Sequence, residues 1–149
     1  MLNVLDQQFD ICEGDFNISE DEHNTIISGM VLSLDSNSEI VIFKNSGTDN
    51  SPFGLACDDF DETSDEVRNT APLVRRKTSI YRGYMWIETD QFDLNQSYIP
   101  NNPVYADTSS DGVTYGQLTT AVPQYNQIIV GTVIKYHASR GILECTIDI

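Results

Sequence analysis

Residues 98–135 read YIPNNPVYADTSSDGVTYGQLTTAVPQYNQIIVGTVIK, and residues 26–58 read IISGMVLSLDSNSEIVIFKNSGTDNSPFGLACD. In each stretch a short apolar strand ends at an aspartate, Asp107 or Asp35, and a polar turn follows it. Each stretch then returns through further apolar segments. Because the two stretches share one order of features, we predict that they are copies of a duplicated unit.

Two more features recur in both copies. The turn-forming pairs Ser28-Gly29 and Asn102-Pro103 precede the first strand, and the single glycines Gly54 and Gly131 lie in the return strand. A glycine inside a strand marks a bulge or a close approach of another backbone, which suits a small, curved sheet. The apolar runs are short, rich in β-branched or aromatic residues, and bounded by turn-forming residues. The sequence predicts an all-β fold, a compact small β-barrel or sandwich, with an irregular N-terminal arm.

The composition limits the partners. The chain has 149 residues, and its 23 acids against 8 bases give a formal charge of −15. A chain of this length forms one domain and needs no disulfide to fold. Such an acidic surface repels nucleic acid and anionic membranes. The N-terminal sequence has neither the basic start nor the apolar run of a signal peptide, so we expect a protein made in the cytoplasm, with no nucleic-acid or membrane partner.

The N-terminal segment, residues 1–24, carries seven acids and no Lys or Arg. Its pattern fits neither the helix nor the strand period. It is either an irregular segment lying on the core or an arm that docks on a neighbouring subunit through apolar side chains. On the second interpretation, residues 1–22 are dispensable for folding but needed for attachment, and residues 25–149 form the β-rich domain. The candidate contact residues in the arm are Leu2, Val4, Leu5 and Phe9.

An acidic loop and a basic segment follow each other. Residues 58–66 hold six acids, but they lack the D-x-D-x-D-G spacing of a calcium loop, so we predict a solvated loop and no metal site. Five of the eight cations come next. They either neutralise the acidic loop or form a basic patch that contacts an acidic partner; nucleic acid is the third choice. These cations are Arg68, Arg75, Arg76, Lys77 and Arg82.

Two strands are predicted with clear alternation. In residues 80–89, Tyr81, Met85 and Ile87 form an apolar face, and Trp86 lies on the amphipathic face. Trp86 is either a core residue or an interface anchor. Residues 141–149 alternate in the same way, which predicts a strand running to the end of the chain.

No pattern of reactive residues predicts catalysis. Cys12, Cys57 and Cys145 have no C-x-x-C spacing, so we expect free thiols, with the last two as small core residues. His23 and His137 have neither metal-ligand spacing nor a neighbouring nucleophile motif, and are predicted to be lone surface imidazoles. We therefore expect no catalytic residue, no metal, no cofactor and no enzymatic activity.

Seven short motifs carry a resemblance to a known family. They are I-x-x-G-M-V-L-S-L-D, P-F-G-L-A, Y-R-G, N-P-V-Y, Y-G-Q-L-T, I-I-V-G-T-V-I and the terminal G-I-L-E-C-T-I-D-I. Over residues 26–149 the chain resembles the head decoration (cement) proteins of tailed bacteriophages. The resemblance implies a non-enzymatic β-rich protein on the outer surface of the major capsid shell, where it ties capsomers together.

The resemblance also implies partners and a location. The partners are the major capsid protein and further copies of the chain, with a trimer favoured over a dimer, and the location is the virion exterior after assembly in the host cytoplasm. The alternative is a ligand- or carbohydrate-binding β-module of a phage tail or fibre protein, favoured if Tyr84, Trp86 and Tyr105 line one groove. The residues predicted to contact the capsid or another subunit are Leu2, Val4, Leu5, Phe9, Arg75, Arg76, Lys77, Arg82 and Trp86.

Overall fold

The computed structural model describes residues 1–7, 12–22, 25–44, 51–61, 76–106, 115–125 and 127–149. Its strands are β1 (Leu2–Gln7), β2 (Cys12–Asn17), β3 (Val31–Leu34), β4 (Ile40–Ile42), β5 (Gly54–Ala56), β6 (Lys77–Tyr81), β7 (Tyr84–Thr89), β8 (Pro103–Ala106), β9 (Leu118–Thr119), β10 (Ile129–His137) and β11 (Ile142–Asp148). No helix in the described residues is long and apolar enough to cross a membrane.

The strands form two antiparallel sheets. One sheet has six strands in the order β1-β7-β11-β10-β8-β9, and the other has five in the order β2-β6-β5-β3-β4. Neither sheet closes into a barrel, so the prediction of an all-β fold is confirmed in its sandwich-like form. The chain passes from one sheet to the other at Arg82-Gly83, where Gly83 has a φ of 93°.

The order of strands supports the predicted duplication. Strands β2–β6 and strands β7–β11 form two halves, and in each half the order across the sheet is first, fifth, fourth, second and third. The registers also match, because Leu32 pairs with Gly54 in the first half and Val104 pairs with Gly131 in the second. β1 is the one strand added outside this scheme, at the free edge of β7.

The loops of the two halves repeat the same hydrogen bonds. The amide of Gly29 donates to the carbonyl of Ala56 over 2.8 Å, and the amide of Asn101 donates to the carbonyl of Val133 over 2.9 Å. Gly29 and Asn101 both have positive φ, 97° and 72°. The structure therefore matches Gly29 with Asn101, whereas the sequence comparison aligned Ser28-Gly29 with Asn102-Pro103, two residues further on.

A second pair of contacts curls both sheets. Ile18, which follows β2, forms a parallel bridge with Ile40, and Phe92, which follows β7, forms a parallel bridge with Leu118. The next residue then donates its amide to the same strand, from Ser19 in one half and from the matching residue in the other. Each half thus bends around its own apolar cluster.

Two clusters of buried residues form the core. In the second half the buried side chains include Met85, Ile87 and Leu143, and the first half adds Val31 and Leu55 from one face of its sheet. The opposite face of the five-stranded sheet carries the smaller cluster. That cluster consists of Ile18, Ile26, Met30, Leu32, Ile40, Ile42, Ala56, Phe60 and Ile80.

The N-terminal segment differs from the expectation. Leu2–Gln7 and Cys12–Asn17 are strands rather than irregular chain, and they pair with β7 and β6 respectively. The sequence did not predict β1, because a register shift between Val4 and Asp6 breaks the alternation of apolar and polar side chains along the strand. The division of the chain between residues 24 and 25 stays a prediction.

Candidate functional site

The outer face of the six-stranded sheet carries Trp86. In β7, Met85 and Ile87 are buried, while Tyr84 and Trp86 are 37% and 39% exposed. The indole Nε1 of Trp86 donates to Glu144 Oε1 over 3.0 Å. Within β7 the predicted alternation is confirmed, and Trp86 lies on the exposed face rather than in the core. The single strand predicted over residues 80–89 is wrong, because the chain changes sheet at Arg82-Gly83 and Tyr81 ends β6 of the other sheet.

A polar network extends from Trp86 across three strands. Glu144 Oε2 lies 2.7 Å from His137 Nε2, so His137 is not the lone imidazole expected from the sequence. Glu88, beside Glu144 in register, accepts hydrogen bonds from Nη1 and Nη2 of Arg140 at 3.2 and 3.3 Å. The Arg140 guanidinium holds the pKa of the Glu88 carboxyl below its usual value, against a smaller opposing effect of burial. The network therefore joins the β10–β11 hairpin to β7.

The same residues could in principle bind a cation. One ligand atom each from Glu88, His137 and Glu144 lies within 4.8 Å of the other two. The four carboxylate oxygens, however, already contact donors of the protein itself, including Arg140 and Trp86. A cation would have to displace Arg140, so the group serves better as a structural network. Sequence reasoning missed it because a register shift inside the hairpin sets which residues meet.

The apolar residues of the N-terminal strand have two roles. Leu2 and Val4 are half-buried and pack against the main core cluster. Leu5 is 44% exposed at the register shift in β1. Among the predicted contact residues of this strand, Leu5 is therefore the one that faces solvent. Phe9 lies outside the described residues.

The basic segment also divides into two groups. Nη2 of Arg76 donates to the backbone oxygens of Ser19 and Glu22 at 2.5 and 3.0 Å, and its guanidinium lies 5.7 Å from the Phe60 ring centre. Since Glu22 is itself buried, Arg76 fastens the segment after β2 to the five-stranded sheet. Lys77 begins β6 and is half-buried.

The remaining cations lie away from Trp86 in the topology. Arg82 follows β6 and lies 4.1 Å from the centre of the Phe53 ring, while Trp86 belongs to the other sheet. The described cations of this segment thus lie on or next to β6 of the five-stranded sheet, whereas Trp86 lies on β7 of the six-stranded sheet. Arg68 and Arg75 lie outside the described residues.

Sequence reasoning missed a set of exposed apolar side chains in the second half, most of which belong to its turns. Their exposed fractions range from 41% to 73%. We call this set the neutral surface. It consists of Leu94, Ile99, Val122, Tyr125, Ile128 and Ile129.

Comparison with known proteins gives one structural likeness. No family model matches the sequence, and no curated protein matches it. A chain in the solved structure of the capsid of Myoviridae phage XM1 matches with a TM-score of 0.58 and 13% identity, over 97% of this chain and 95% of that chain. At this identity the likeness concerns the fold, and it extends over nearly the whole of both chains.

Proposed function

We propose that this protein is a non-enzymatic structural component of a phage virion that binds the outer surface of the major capsid shell and stabilises it. The observation that carries the proposal is the near full-length likeness to a chain of a phage capsid. Because the match covers almost all of both chains, it favours a similar structural role in a capsid over a likeness confined to a short shared fragment. The sequence motifs described above point independently to decoration proteins.

The charge of the chain supports the exterior position. A formal charge of −15 disfavours contact with packaged DNA, since binding to DNA depends on cations that displace its counterions. The same charge is compatible with the solvent side of a shell. On this proposal the protein is assembled in the host cytoplasm and remains on the virion.

The polar network supports a structural rather than an enzymatic role. Glu88 and Glu144 use their oxygens to bind Arg140, Trp86 and His137 across strands. A catalytic carboxylate needs a position open to substrate and an environment that adjusts its pKa to the reaction. The arrangement of these groups instead stabilises the sheet.

The structure narrows the residues proposed to contact the shell. Leu5, Lys77, Arg82 and Trp86 retain that role, because Leu5 and Trp86 are exposed and the two cations lie on or next to β6. Leu2, Val4 and Arg76 hold the fold instead. Phe9 and Arg75 stay predictions.

The test is binding to shells that lack the protein. Purified protein is mixed with expanded capsids of the phage that encodes it, and occupancy is measured by co-sedimentation and electron cryomicroscopy. We expect saturable binding and capsids that resist heat better. The double variant Lys77→Glu/Arg82→Glu should weaken binding by about 1–3 kcal/mol if the pair meets an acidic surface.

A matched control separates contact from folding. Lys135→Glu changes an exposed cation of β10 that takes no part in the polar network and should leave occupancy unchanged. Absence of binding by the unmodified protein would overturn the proposed function. Normal binding by the Lys77/Arg82 variant would reject only the basic contact.

A carbohydrate-binding module of a tail or fibre protein is the second candidate. Tyr84 and Trp86 lie on the same exposed face of β7, as in an aromatic platform. Tyr105, the third aromatic predicted for such a groove, is only 7% exposed. Binding of the protein to a glycan array, lost in Trp86→Ala, would favour this candidate over the capsid role.

A further inference from the structure

The neutral surface lies in a part of the chain without charge. No Asp, Glu, Lys or Arg occurs in residues 94–106 or in residues 112–134, although the whole chain carries 31 such residues in 149 (23 acids and 8 bases). These two uncharged segments of an otherwise strongly acidic protein contain the exposed apolar side chains of the neutral surface. Large apolar patches on a soluble protein mark interaction sites.

The fold brings these two uncharged segments together. The hydroxyl of Thr120 donates to the carbonyl of Ser97 over 2.8 Å, and Ile129 pairs with Tyr105. The turn at 94–99 therefore lies beside the loop that connects β9 to β10. Both flank the end of the six-stranded sheet that is opposite β1.

At three positions of the neutral surface, the first half shows that the fold does not require an apolar residue, whereas Ile99 corresponds to the apolar Ile27. Its turn after Ser19 matches the turn after Asp93, because the amides of Ser19 and Asp93 each donate to the third strand of their own half, β4 or β9. Its pairs Ser33–Val41 and Leu32–Gly54 match Tyr105–Thr119 and Val104–Gly131. By these matches, Leu94, Val122 and Ile128 correspond to Glu20, Lys44 and Ser51.

We propose that the neutral surface binds a second copy of this chain. Two copies, each with a formal charge of −15, repel each other through most of their surfaces. The neutral surface is where they can meet without bringing carboxylates together, and it offers apolar area to bury. An oppositely charged partner would instead be drawn to the acidic surfaces. The inference rests on the self-association that accompanies the proposed virion role, and it assigns that association to one surface.

The experiment measures mass in solution without any capsid. Sedimentation equilibrium of the full chain at about 100 µM should give a multiple of the 16.7 kDa monomer. Raising the salt concentration from about 0.05 M to 0.5 M should strengthen association, because salt screens the repulsion between copies. The double variant Leu94→Glu/Val122→Glu should be monomeric, with a dissociation constant raised at least about 100-fold by the introduced like charges.

The control variant Tyr84→Glu/Ser139→Glu adds the same charge at two exposed positions elsewhere in the second half, and it should keep the unmodified mass. Circular dichroism and melting temperature verify that each variant folds. A monomeric unmodified protein, an oligomeric Leu94/Val122 variant, or equal dissociation of the control would each overturn the inference. An oligomeric Leu94/Val122 variant that loses capsid occupancy would assign the neutral surface to the shell instead. Capsid binding by a strictly monomeric protein would leave the proposed function standing and reject this inference alone.

Discussion

At the scale of single residues, Gly54 and Gly131 occupy matched positions that have no room for a side chain. A Cβ at Gly131 would overlap the carbonyl oxygen of Thr146. A Cβ at Gly54 would overlap Ile80 and lie 2.7 Å from the carbonyl oxygen of Tyr81. In both halves the fifth strand therefore approaches the fourth more closely than any other residue allows, as the close-approach interpretation predicted.

Replacing either glycine should be costly. We expect Gly131→Ala and Gly54→Ala to lower the free energy of unfolding by about 3 kcal/mol, since the obstacle is largely backbone. Gly141→Ala is the control, because a Cβ there has open space and meets only the strain of a φ of 62°. It should cost about 1 kcal/mol. Urea unfolding measures all three, and equal losses would contradict the packing argument.

The Glu88–Arg140 pair predicts a dependence on pH. Because Arg140 lowers the folded-state pKa of Glu88, the pair stabilises the protein above the unfolded-state pKa, and this stability is lost as the pH falls through the folded-state value. Arg140→Gln should lower the melting temperature by about 1–3 °C at neutral pH. The difference from the unmodified protein should disappear at an acid pH at which Glu88 is protonated in the folded state.

A neighbouring cation provides the matched control. Lys135→Gln removes the same charge from β10 at an exposed position. It should leave the melting temperature nearly unchanged at both pH values. A loss for Arg140→Gln that persists in acid would show that packing of the arginine stem, and not its bond to Glu88, provides the stability.

At the scale of elements, the two N-terminal strands differ: β1 is added to the repeated unit, whereas β2 belongs to it. β1 has no counterpart in the other half, whereas β2 pairs with β6 and leads into the buried Ile18 and Glu22. The structure thus changes the expectation that residues 1–22 are dispensable. Deleting residues 1–7 should leave a folded protein that is less stable by about 2–4 kcal/mol, because Leu2 and Val4 lose partial burial.

Deleting residues 1–22 should abolish folding, because the deletion also removes β2 and the carbonyl groups that bind Arg76. Heat unfolding followed by near-ultraviolet circular dichroism distinguishes the two truncations. Leu5→Ala serves as the control within β1, since that side chain is exposed. A cooperative transition in the longer truncation would show that β6 can fold without its edge partner.

Local sequence patterns correctly predicted the features that depend only on neighbouring residues along the chain, such as strand alternation and burial. The alternation around Met85 and Ile87, the strand near residue 149 and the buried Cys145 are all confirmed. Cys57, also predicted to be a small core residue, is only half-buried. Gly54 and Gly131 were likewise recognised from their neighbours along the chain, since each lies within an apolar strand segment.

Contacts between distant residues were not predictable in this way. The pairing of β1 with β7 joins positions 78 to 87 residues apart, and the bond between His137 and Glu144 depends on a register shift. The role of Arg76 depends on two backbone oxygens 54 and 57 residues away. The choice between a barrel and a sandwich was likewise not predictable, because it depends on whether the edge strands of a sheet pair with each other, and the alternation of side chains does not encode that pairing.

At the scale of the whole molecule, the two halves have one topology and different surfaces. The first half carries charged residues in its turns, and the second half replaces them with the neutral surface. Duplication thus allowed one unit to keep a solvated exterior while the other acquired a face for association. The acidic remainder keeps contacts between copies confined to that face.

The position of the last strand in each half has a consequence for synthesis on the ribosome. In both halves the fifth strand lies between the first and the fourth, so a half is complete only when its final strand has emerged. The first half can close its sheet once β6 is released, before most of the second half has been translated. The second half is complete only after the 7-residue strand β11, which fills the middle of its sheet, has been translated. A ribosome that stalls before β11 is translated would therefore leave a chain with both edges of that sheet present and a central strand missing.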